Sequence, residues 1–407
     1  MVLKPGVDAA FPWRGKAASG RPGASILRPV AFLKVACVAE FGFFGGVEIF
    51  FARYELRLRR PWRIARTAQG SEAEALRRET IFVRLRDEDG VEGWGEGSPS
   101  LRYGESAETA AAALRRVDPA WLSFERPGAA RARLRSELTR DRAARCALSL
   151  ALTDGAARRR GLGLARFLGL EPPRTPRLSS VTVGIDRPER VREKARELRA
   201  YPRLKLKLGV PEDRELFRAF REGAPDNVTR VDANEGWPSV EEALRRLEWL
   251  AADGRVEFVE QPLPASLPLE EHLRLKERSP LPLFADESCL DAADAERCAA
   301  AFHGVNVKVV KTGGVAEAKE TLEAARARGL QTMLGGMVES SLSVTATAHL
   351  AALADYLDLD GAWLTANDPF RGVWIDEGGV VRFDAAEGRA GIGVEPRREA
   401  RLEWRRI

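Results

Sequence analysis

The feature that most constrains the fold is a short apolar run followed by an amphipathic helical segment, repeated along the second half of the chain. One such segment begins at Pro238, keeps apolar residues at helical spacing up to Ala251 and ends at Gly254. Strands that alternate with helices favour a parallel sheet with right-handed crossovers, and eight of them favour a closed barrel. The eight runs lie at 181–184, 204–208, 228–233, 256–260, 283–285, 305–310, 331–334 and 356–359.

The segment before the barrel has a different pattern. Strand-like alternation covers 49–56 and 81–85, and the second run leads through Asp87-Glu88-Asp89-Gly90 into 91–96, which predicts a hairpin. Apolar residues at helical spacing follow within 143–157. These patterns predict a compact α+β domain. The first 46 residues are rich in Gly, Pro, Arg and Lys without periodicity, and we expect a disordered extension there.

Charged residues end five successive strands of the predicted barrel, spaced 22 to 28 residues apart. Because the carboxyl ends of barrel strands converge on one face, we expect these side chains to meet there. Lys205 lies two residues before the first of them in an extended strand and therefore on the same face. The five residues are Lys207, Asp232, Glu260, Asp286 and Lys308.

Three carboxylates on adjacent strands would repel one another without a counter-charge, and oxygen ligands suit a hard cation such as Mg²⁺. We therefore predict that Asp232, Glu260 and Asp286 bind a metal. A lysine beside positive charge has its ammonium disfavoured, which suits Lys207 and Lys308 to act as bases.

Composition excludes several other classes of protein. The 65 basic and 60 acidic residues are interspersed, so no nucleic-acid surface is expected. The sequence contains no uninterrupted apolar stretch of about 18 residues, so no membrane span is expected. The four cysteines have no C-x-x-C pair, and we expect reduced thiols in a cytoplasmic protein.

Several motifs, in this order along the chain, resemble the enolase superfamily, specifically the dipeptide epimerases of its muconate-lactonising-enzyme branch. The resemblance runs from about Arg53 to the C-terminus. The motifs are Pro61-Trp62-Arg63-Ile64-Ala65-Arg66, Gly93-Trp94-Gly95-Glu96, Lys205-Leu206-Lys207, Val231-Asp232-Ala233-Asn234-Glu235-Gly236-Trp237, Glu260-Gln261-Pro262, Ala285-Asp286-Glu287-Ser288, Asn306-Val307-Lys308 to Gly313-Gly314, and Asp358-Leu359-Asp360.

The resemblance implies an α/β fold, a modified TIM barrel of the (β/α)7β type with an α+β capping domain. The domains would be a capping domain at 47–172, the barrel at 173–367 and a segment at 368–407 that returns to the cap. One Mg²⁺ per subunit would bind the substrate carboxylate and stabilise an enediolate, as is general for such sites. Lys207 and Lys308 would face each other across the substrate and invert its α-carbon, whereas Lys311 would have no such role. We also expect a homo-oligomer.

The same resemblance implies substrate contacts. Asp358 and Asp360 would pair with the α-ammonium of a dipeptide. Arg66, or in its place Arg63, would pair with an acidic side chain such as that of Ala-Glu. Glu339 would help to hold the substrate backbone. The other expected members of the site are Lys205 as a further contact, and Asn234 and Glu287 as supports of the ligands.

Alternative functions stay open on the sequence alone. An o-succinylbenzoate synthase, an N-succinylamino-acid racemase or a muconate cycloisomerase would keep the barrel and the metal but not the ammonium site. A barrel with only a binding role is a further alternative. The chain departs from the family pattern in its extension before Val47 and in Glu235, which stands where Gln is common.

Overall fold

The computed structural model describes residues 46–171, 175–383 and 388–407. The predicted extension therefore lies outside the described residues, apart from residue 46.

The N-terminal part is built on a four-stranded antiparallel sheet, in the order β16 (Arg405–Arg406), β1 (Glu48–Arg57), β2 (Arg77–Arg86) and β3 (Glu92–Gly97). The predicted hairpin is present, and its turn includes Gly90 with φ of 79°, a conformation that glycine adopts readily. The helices are α1 (Glu72–Ala75), α2 (Ala107–Leu114), α3 (Pro127–Glu137), α4 (Arg142–Arg159) and α5 (Leu164–Phe167), with 3-10 turns at Ala65–Thr67, Leu101–Tyr103 and Pro119–Trp121.

Strand β3 lies unusually close to helix α4. Its glycines occupy every second position, and a Cβ added at Gly95 would lie 1.9 Å from the carbonyl oxygen of Ala147. Gly93 and Gly97 would meet α4 in the same way, at the carbonyls of Ala151 and Ala143. Side chains on a strand alternate between faces, so this spacing leaves one face of β3 bare for the helix and turns Glu96 to the other.

The predicted barrel is confirmed: eight parallel strands follow one another in sequence order. The circle closes where the amide of Ser180 donates to the carbonyl of Leu357 at 3.1 Å. The strands are β4 (Val181–Val183), β5 (Arg203–Lys207), β6 (Val228–Asp232), β7 (Val256–Glu260), β8 (Leu283–Ala285), β9 (Gly304–Lys308), β10 (Gln331–Gly335) and β11 (Tyr356–Asp358).

Seven helical connections join the eight strands, which is the (β/α)7β pattern. Between β9 and β10 the short helix α11 (Val309–Thr312) precedes the connecting helix α12 (Val315–Ala327), and the 3-10 turn Ala351–Leu353 leads into β11. The other helices are α6 (Pro188–Leu198), α7 (Asp213–Gly223), α8 (Val240–Ala251), α9 (Leu269–Arg278), α10 (Ala292–Ala301) and α13 (Ser341–Ala348). In the described part of the chain, no helix is long and apolar enough to cross a membrane.

The C-terminal segment forms short strands and contacts the N-terminal sheet. Phe50 of β1 pairs with Arg406 of β16, and the ring of Phe370 packs edge-on against Phe82 and Trp94. These contacts support the predicted return to the cap, and the domain boundaries stay a proposal. The short strands pair as β12 with β15 and β13 with β14, namely β12 (Phe370–Arg371), β13 (Trp374–Ile375), β14 (Val381–Arg382) and β15 (Glu395–Pro396).

Candidate active site

Three carboxylates meet at the carboxyl end of the barrel. Asp232 ends β6, Glu260 ends β7 and Asp286 directly follows β8, so adjacent strands bring them together. All three are buried, and one oxygen of each lies within 4.8 Å of the others. The structure thus groups the residues that the strand spacing predicted as metal ligands.

Unpaired oxygens show that this group fits a cation. Glu260 Oε2 is buried and accepts no hydrogen bond from the described residues, although Lys205 Nζ lies 2.7 Å away in an orientation that makes only an ion pair. The Oδ1 atoms of Asn234 and Asn306 are also buried and unpaired there. Buried oxygens are normally satisfied, and Mg²⁺ is coordinated by oxygen atoms. The residues present therefore fit a hard divalent cation.

The pKa values of the carboxyls reflect this crowding. Burial, and then the charge of Asp232, raise the pKa of Glu260 to about 8. Burial acts in the same direction on Asp286, but Lys308 and Lys311 outweigh it and hold the pKa of Asp286 well below its usual value. A divalent cation would favour the charged form of all three carboxyls.

The two predicted bases flank the carboxylates. Lys207 ends β5, with Nζ 2.5 Å from Asp232 Oδ2, and Lys308 ends β9, with Nζ 2.7 Å from Asp286 Oδ2. Burial lowers the pKa of Lys308, but the charges of Asp286 and Glu260 outweigh burial and raise it. A cation bound to the same carboxylates would lower the pKa of Lys308 again, and a lower pKa is what a lysine needs in order to act as a base.

Lys205 joins the carboxylates to the eighth strand. Its Nζ lies 3.0 Å from Asp232 Oδ2 and 2.8 Å from Asp358 Oδ2, and the side chain is almost fully buried. Asp358 Oδ1 accepts a hydrogen bond from Ser180 Oγ at 2.7 Å. Asp360 Oδ2 accepts one from a backbone amide at the same distance. Burial, followed by the charge of Asp358, raises the pKa of Asp360 to about 7. The two aspartates thus differ, since only Asp358 is neutralised by a lysine.

The backbone is strained just after two of the predicted metal ligands, Asp232 and Glu260. Asn234 and Glu235 have φ of 43° and 67°, and Gln261 has φ of 36°. Such conformations cost on the order of 1–3 kcal/mol outside glycine and occur most often at functional sites. Gln261, whose role the sequence reasoning missed, holds the turn, because its Oε1 accepts from the amide of Asp286 at 2.9 Å.

Further polar residues orient the predicted ligands. Asn306 Nδ2 donates to Glu260 Oε1 at 2.7 Å, and Lys311 Nζ contacts Asp286 Oδ1 at 2.5 Å from a fully buried position. Asn234 Nδ2 donates to Glu287 Oε1 at 3.3 Å. Asn306 was not predicted as a site residue. Its position two residues before Lys308, on the same face of β9, was the available signal.

Side chains from the N-terminal part lie over the mouth of the barrel. The ring of Trp62 stands 5.8 Å from Lys207 Nζ. Burial raises the pKa of Tyr103, and the charges of Asp286 and Glu287 add to the rise. Sequence reasoning assigned neither aromatic residue a role, because loop residues follow no spacing rule.

The two candidate arginines separate in the structure. Arg66 lies at the mouth, where Nη1 is 3.0 Å from Glu235 Oε2 and Nη2 is 2.8 Å from Glu287 Oε1. Arg63 instead lines a groove with Asp186 on the flank of the barrel. Only Arg66 is therefore placed near the carboxylates.

Glu339 follows β10 and connects the site to the N-terminal sheet. Its Oε1 accepts from Ser343 Oγ at 3.1 Å. The neighbouring Ser340 donates to Glu96 on β3 through both its amide, at 3.0 Å, and its hydroxyl, at 2.6 Å. Burial, and then the charge of Glu339, raise the pKa of Glu96 to about 8. A buried carboxyl of the N-terminal sheet thus holds the loop that follows the seventh barrel strand.

Family models match both parts of the chain. Residues 47–169 match the N-terminal domain of mandelate racemase and muconate lactonizing enzymes, and residues 190–400 match the enolase C-terminal domain-like model.

Known proteins resemble the chain along most of its length. An L-Ala-D/L-amino acid epimerase from Pedosphaera parvula is 42% identical over 349 residues, which is 86% of this chain and 99% of that protein. The dipeptide epimerase from Cytophaga hutchinsonii, solved with Mg and D-Ala-L-Val, has a TM-score of 0.82 and 26% identity, covering 89% of this chain and 100% of that one. The L-Ala-D/L-Glu epimerase from Bacillus subtilis, solved with its substrate, has a TM-score of 0.78 and 27% identity, with coverages of 86% and 99%.

Proposed function

The chain belongs to the enolase superfamily, within its branch of mandelate racemase and muconate lactonizing enzymes, and on that premise we propose that it is a dipeptide epimerase. It inverts the α-carbon of the C-terminal residue of a dipeptide by 1,1-proton transfer. The observation that carries the proposal is the placement of Lys207 and Lys308 on either side of three buried carboxylates.

Asp232, Glu260 and Asp286 would hold one Mg²⁺ per subunit. Bound Mg²⁺ would supply positive charge to the substrate carboxylate as the neighbouring carbon loses its proton. Asn306 and Lys311 keep Glu260 and Asp286 turned toward that position through their contacts at 2.7 and 2.5 Å.

The two lysines divide the proton transfer. The lysine on the face that carries the α-hydrogen takes the proton on its neutral Nζ, and the lysine opposite, present as an ammonium, delivers a proton to the other face. The centre inverts, and the two lysines exchange protonation states. Both side chains are buried, so the proton passes directly between lysine and substrate, and the ammonium protons exchange with solvent between turnovers.

The paired aspartates of the eighth strand would bind the substrate ammonium. Because Lys205 already neutralises Asp358, Asp360 is the carboxylate better able to add a charge-assisted hydrogen bond to that ammonium. The raised pKa of Asp360 favours its protonated form. A bound substrate ammonium would lower that pKa and so favour the ionised carboxylate.

Hydrogen exchange in heavy water tests the proposal. With Mg²⁺, the α-hydrogen of the second residue of an L,L-dipeptide should be replaced by deuterium, and proton NMR should detect the L,D-diastereomer. Lys207→Ala and Lys308→Ala should each abolish inversion. Each variant should still exchange the α-hydrogen of one diastereomer, and exchange of the other diastereomer should slow by about 10²- to 10⁴-fold. Lys194→Ala is the matched control, since that lysine pairs with Asp186 outside the site.

Two results would contradict this function. One is the absence of deuterium at the α-carbon of every C-terminal residue tested. The other is turnover of N-succinylamino acids or o-succinylbenzoate precursors alone, which would place the chain with the relatives that bind no substrate ammonium.

A further inference from the structure

Arg66 already has protein partners for its positive charge. Nη1 lies 3.0 Å from Glu235 Oε2 and also donates to the carbonyl oxygen of Asn234 at 3.0 Å, while Nη2 lies 2.8 Å from Glu287 Oε1. Two carboxylates and a carbonyl thus surround the guanidinium that was expected to meet an acidic substrate side chain.

Glu235 is itself fixed in place by a second arginine. Arg102 Nε lies 2.6 Å from Glu235 Oε2, and Arg102 Nη2 donates to Glu235 Oε1 at 2.8 Å, a two-point contact that orients the carboxylate. The amide of Ala265 also donates to Oε1 at 2.8 Å. Only 9% of the Glu235 side chain is exposed, while 31% of the Arg102 side chain is, so solvent screens this ion pair less than it would a pair on the open surface.

The cluster of Arg66, Arg102, Glu235 and Glu287 contains two positive and two negative charges, and is neutral as a whole. A substrate carboxylate could reach Arg66 only by displacing Glu235 or Glu287, and it would then lie beside both. Like charges at such distances oppose binding. The other side chains over the mouth, Trp62 and Tyr103, offer aromatic surface.

We infer that Glu235 is a specificity-determining residue: by pairing with Arg66 it disfavours dipeptides with an acidic C-terminal residue and leaves uncharged side chains as the preferred class. This inference rests on the proposed epimerase function. The left-handed backbone of Glu235, with φ of 67°, supports it, because a non-glycine residue keeps that conformation only where its contacts hold it.

The decisive comparison uses L-Ala-L-Gln and L-Ala-L-Glu, which differ in charge but hardly in shape. We expect kcat/KM of the unmodified enzyme to favour L-Ala-L-Gln by about tenfold or more, the scale of one charge-assisted contact. Glu235→Gln keeps an oxygen for the amide of Ala265 but removes one of the two negative charges that pair with Arg66. It should lower the Gln-to-Glu preference by about tenfold or more.

Glu48→Gln is the matched control. Glu48 also pairs with two arginines, Arg86 and Arg406, but lies on β1 of the N-terminal sheet. This variant should keep the preference of the unmodified enzyme, so a change specific to Glu235→Gln reports the pairing with Arg66.

The outcomes separate this inference from the function on which it rests. Equal or better turnover of L-Ala-L-Glu by the unmodified enzyme overturns the inference, whether or not the variant folds. A folded Glu235→Gln variant with an unchanged preference also overturns it, the circular-dichroism spectrum serving as the folding check. If the unmodified enzyme epimerises no dipeptide at all, the proposed function fails and the inference fails with it.

Discussion

Replacing Gly95 with alanine tests how closely β3 packs against α4. The added Cβ would lie 1.9 Å from the carbonyl oxygen of Ala147 and 2.8 Å from the amide nitrogen of Ala151, whereas ordinary contacts begin at 3.4 Å. Strand and helix would have to separate by about 1.5 Å to remove the overlap. Both colliding atoms are backbone, so no side-chain rotation relieves it.

The expected cost lies at the upper end for overpacked cores. Extra methylene groups in a packed core cost about 1–3 kcal/mol, and a backbone collision on two sides of the new atom should reach at least about 3 kcal/mol. The φ of Gly95 is one that alanine can also adopt. Without the collision, alanine would therefore stabilise the protein by up to about 1 kcal/mol, because it lowers the conformational entropy of the unfolded chain. The close approach therefore has to outweigh a favourable contribution.

Urea unfolding of the full chain measures this difference, with Gly128→Ala as the control. Gly128 is the second residue of α3, and a Cβ added there meets nothing within 4 Å. That variant should be equal to the unmodified protein or more stable by up to about 1 kcal/mol. If Gly95→Ala unfolds within about 1 kcal/mol of the control, the reasoning from close packing is refuted.

Two more predictions concern the site. Asn306→Ala should weaken Mg²⁺ binding about 10- to 100-fold, because Glu260 loses the donor that orients it; calorimetric titration of the metal measures this, and unchanged affinity would contradict the role. The pKa of Glu96 is raised from 4.5 to about 8, so between those pH values the folded state holds a proton that the unfolded chain releases. The free energy of unfolding should thus fall as pH rises through this window, by at most about 5 kcal/mol. Urea unfolding from pH 5 to 8 should show a shallower fall for Glu96→Gln, and identical slopes would refute the assignment.

The barrel and its central charges were predictable because they follow periodic rules. Each strand ends after one apolar run, and the return through a helix sets a nearly constant spacing between strand ends. The sequence alone therefore places Asp232, Glu260 and Asp286 on one face of the barrel. The lysines at the ends of β5 and β9 followed from the same count.

Contacts between distant parts of the chain could not be predicted in this way. Glu96 and Ser340 are 244 residues apart, and no pattern in either segment indicates the other. Arg66 and Arg102 come from loops of the N-terminal part and meet Glu235 only because the domains pack together. The motif containing Arg66 thus suggested a substrate contact. The ion pairs of Arg66 with Glu235 and Glu287 become visible only in the tertiary structure.

The lysines around the carboxylates also bear on how the protein acquires its metal. Lys205, Lys207, Lys308 and Lys311 each place an ammonium nitrogen within 3.0 Å of a ligand carboxylate. The carboxylates therefore have internal counter-ions, unlike small zinc domains, in which folding depends on the metal. We therefore expect a newly synthesised chain to complete its fold before Mg²⁺ binds, so that Mg²⁺ is needed for activity and not for folding.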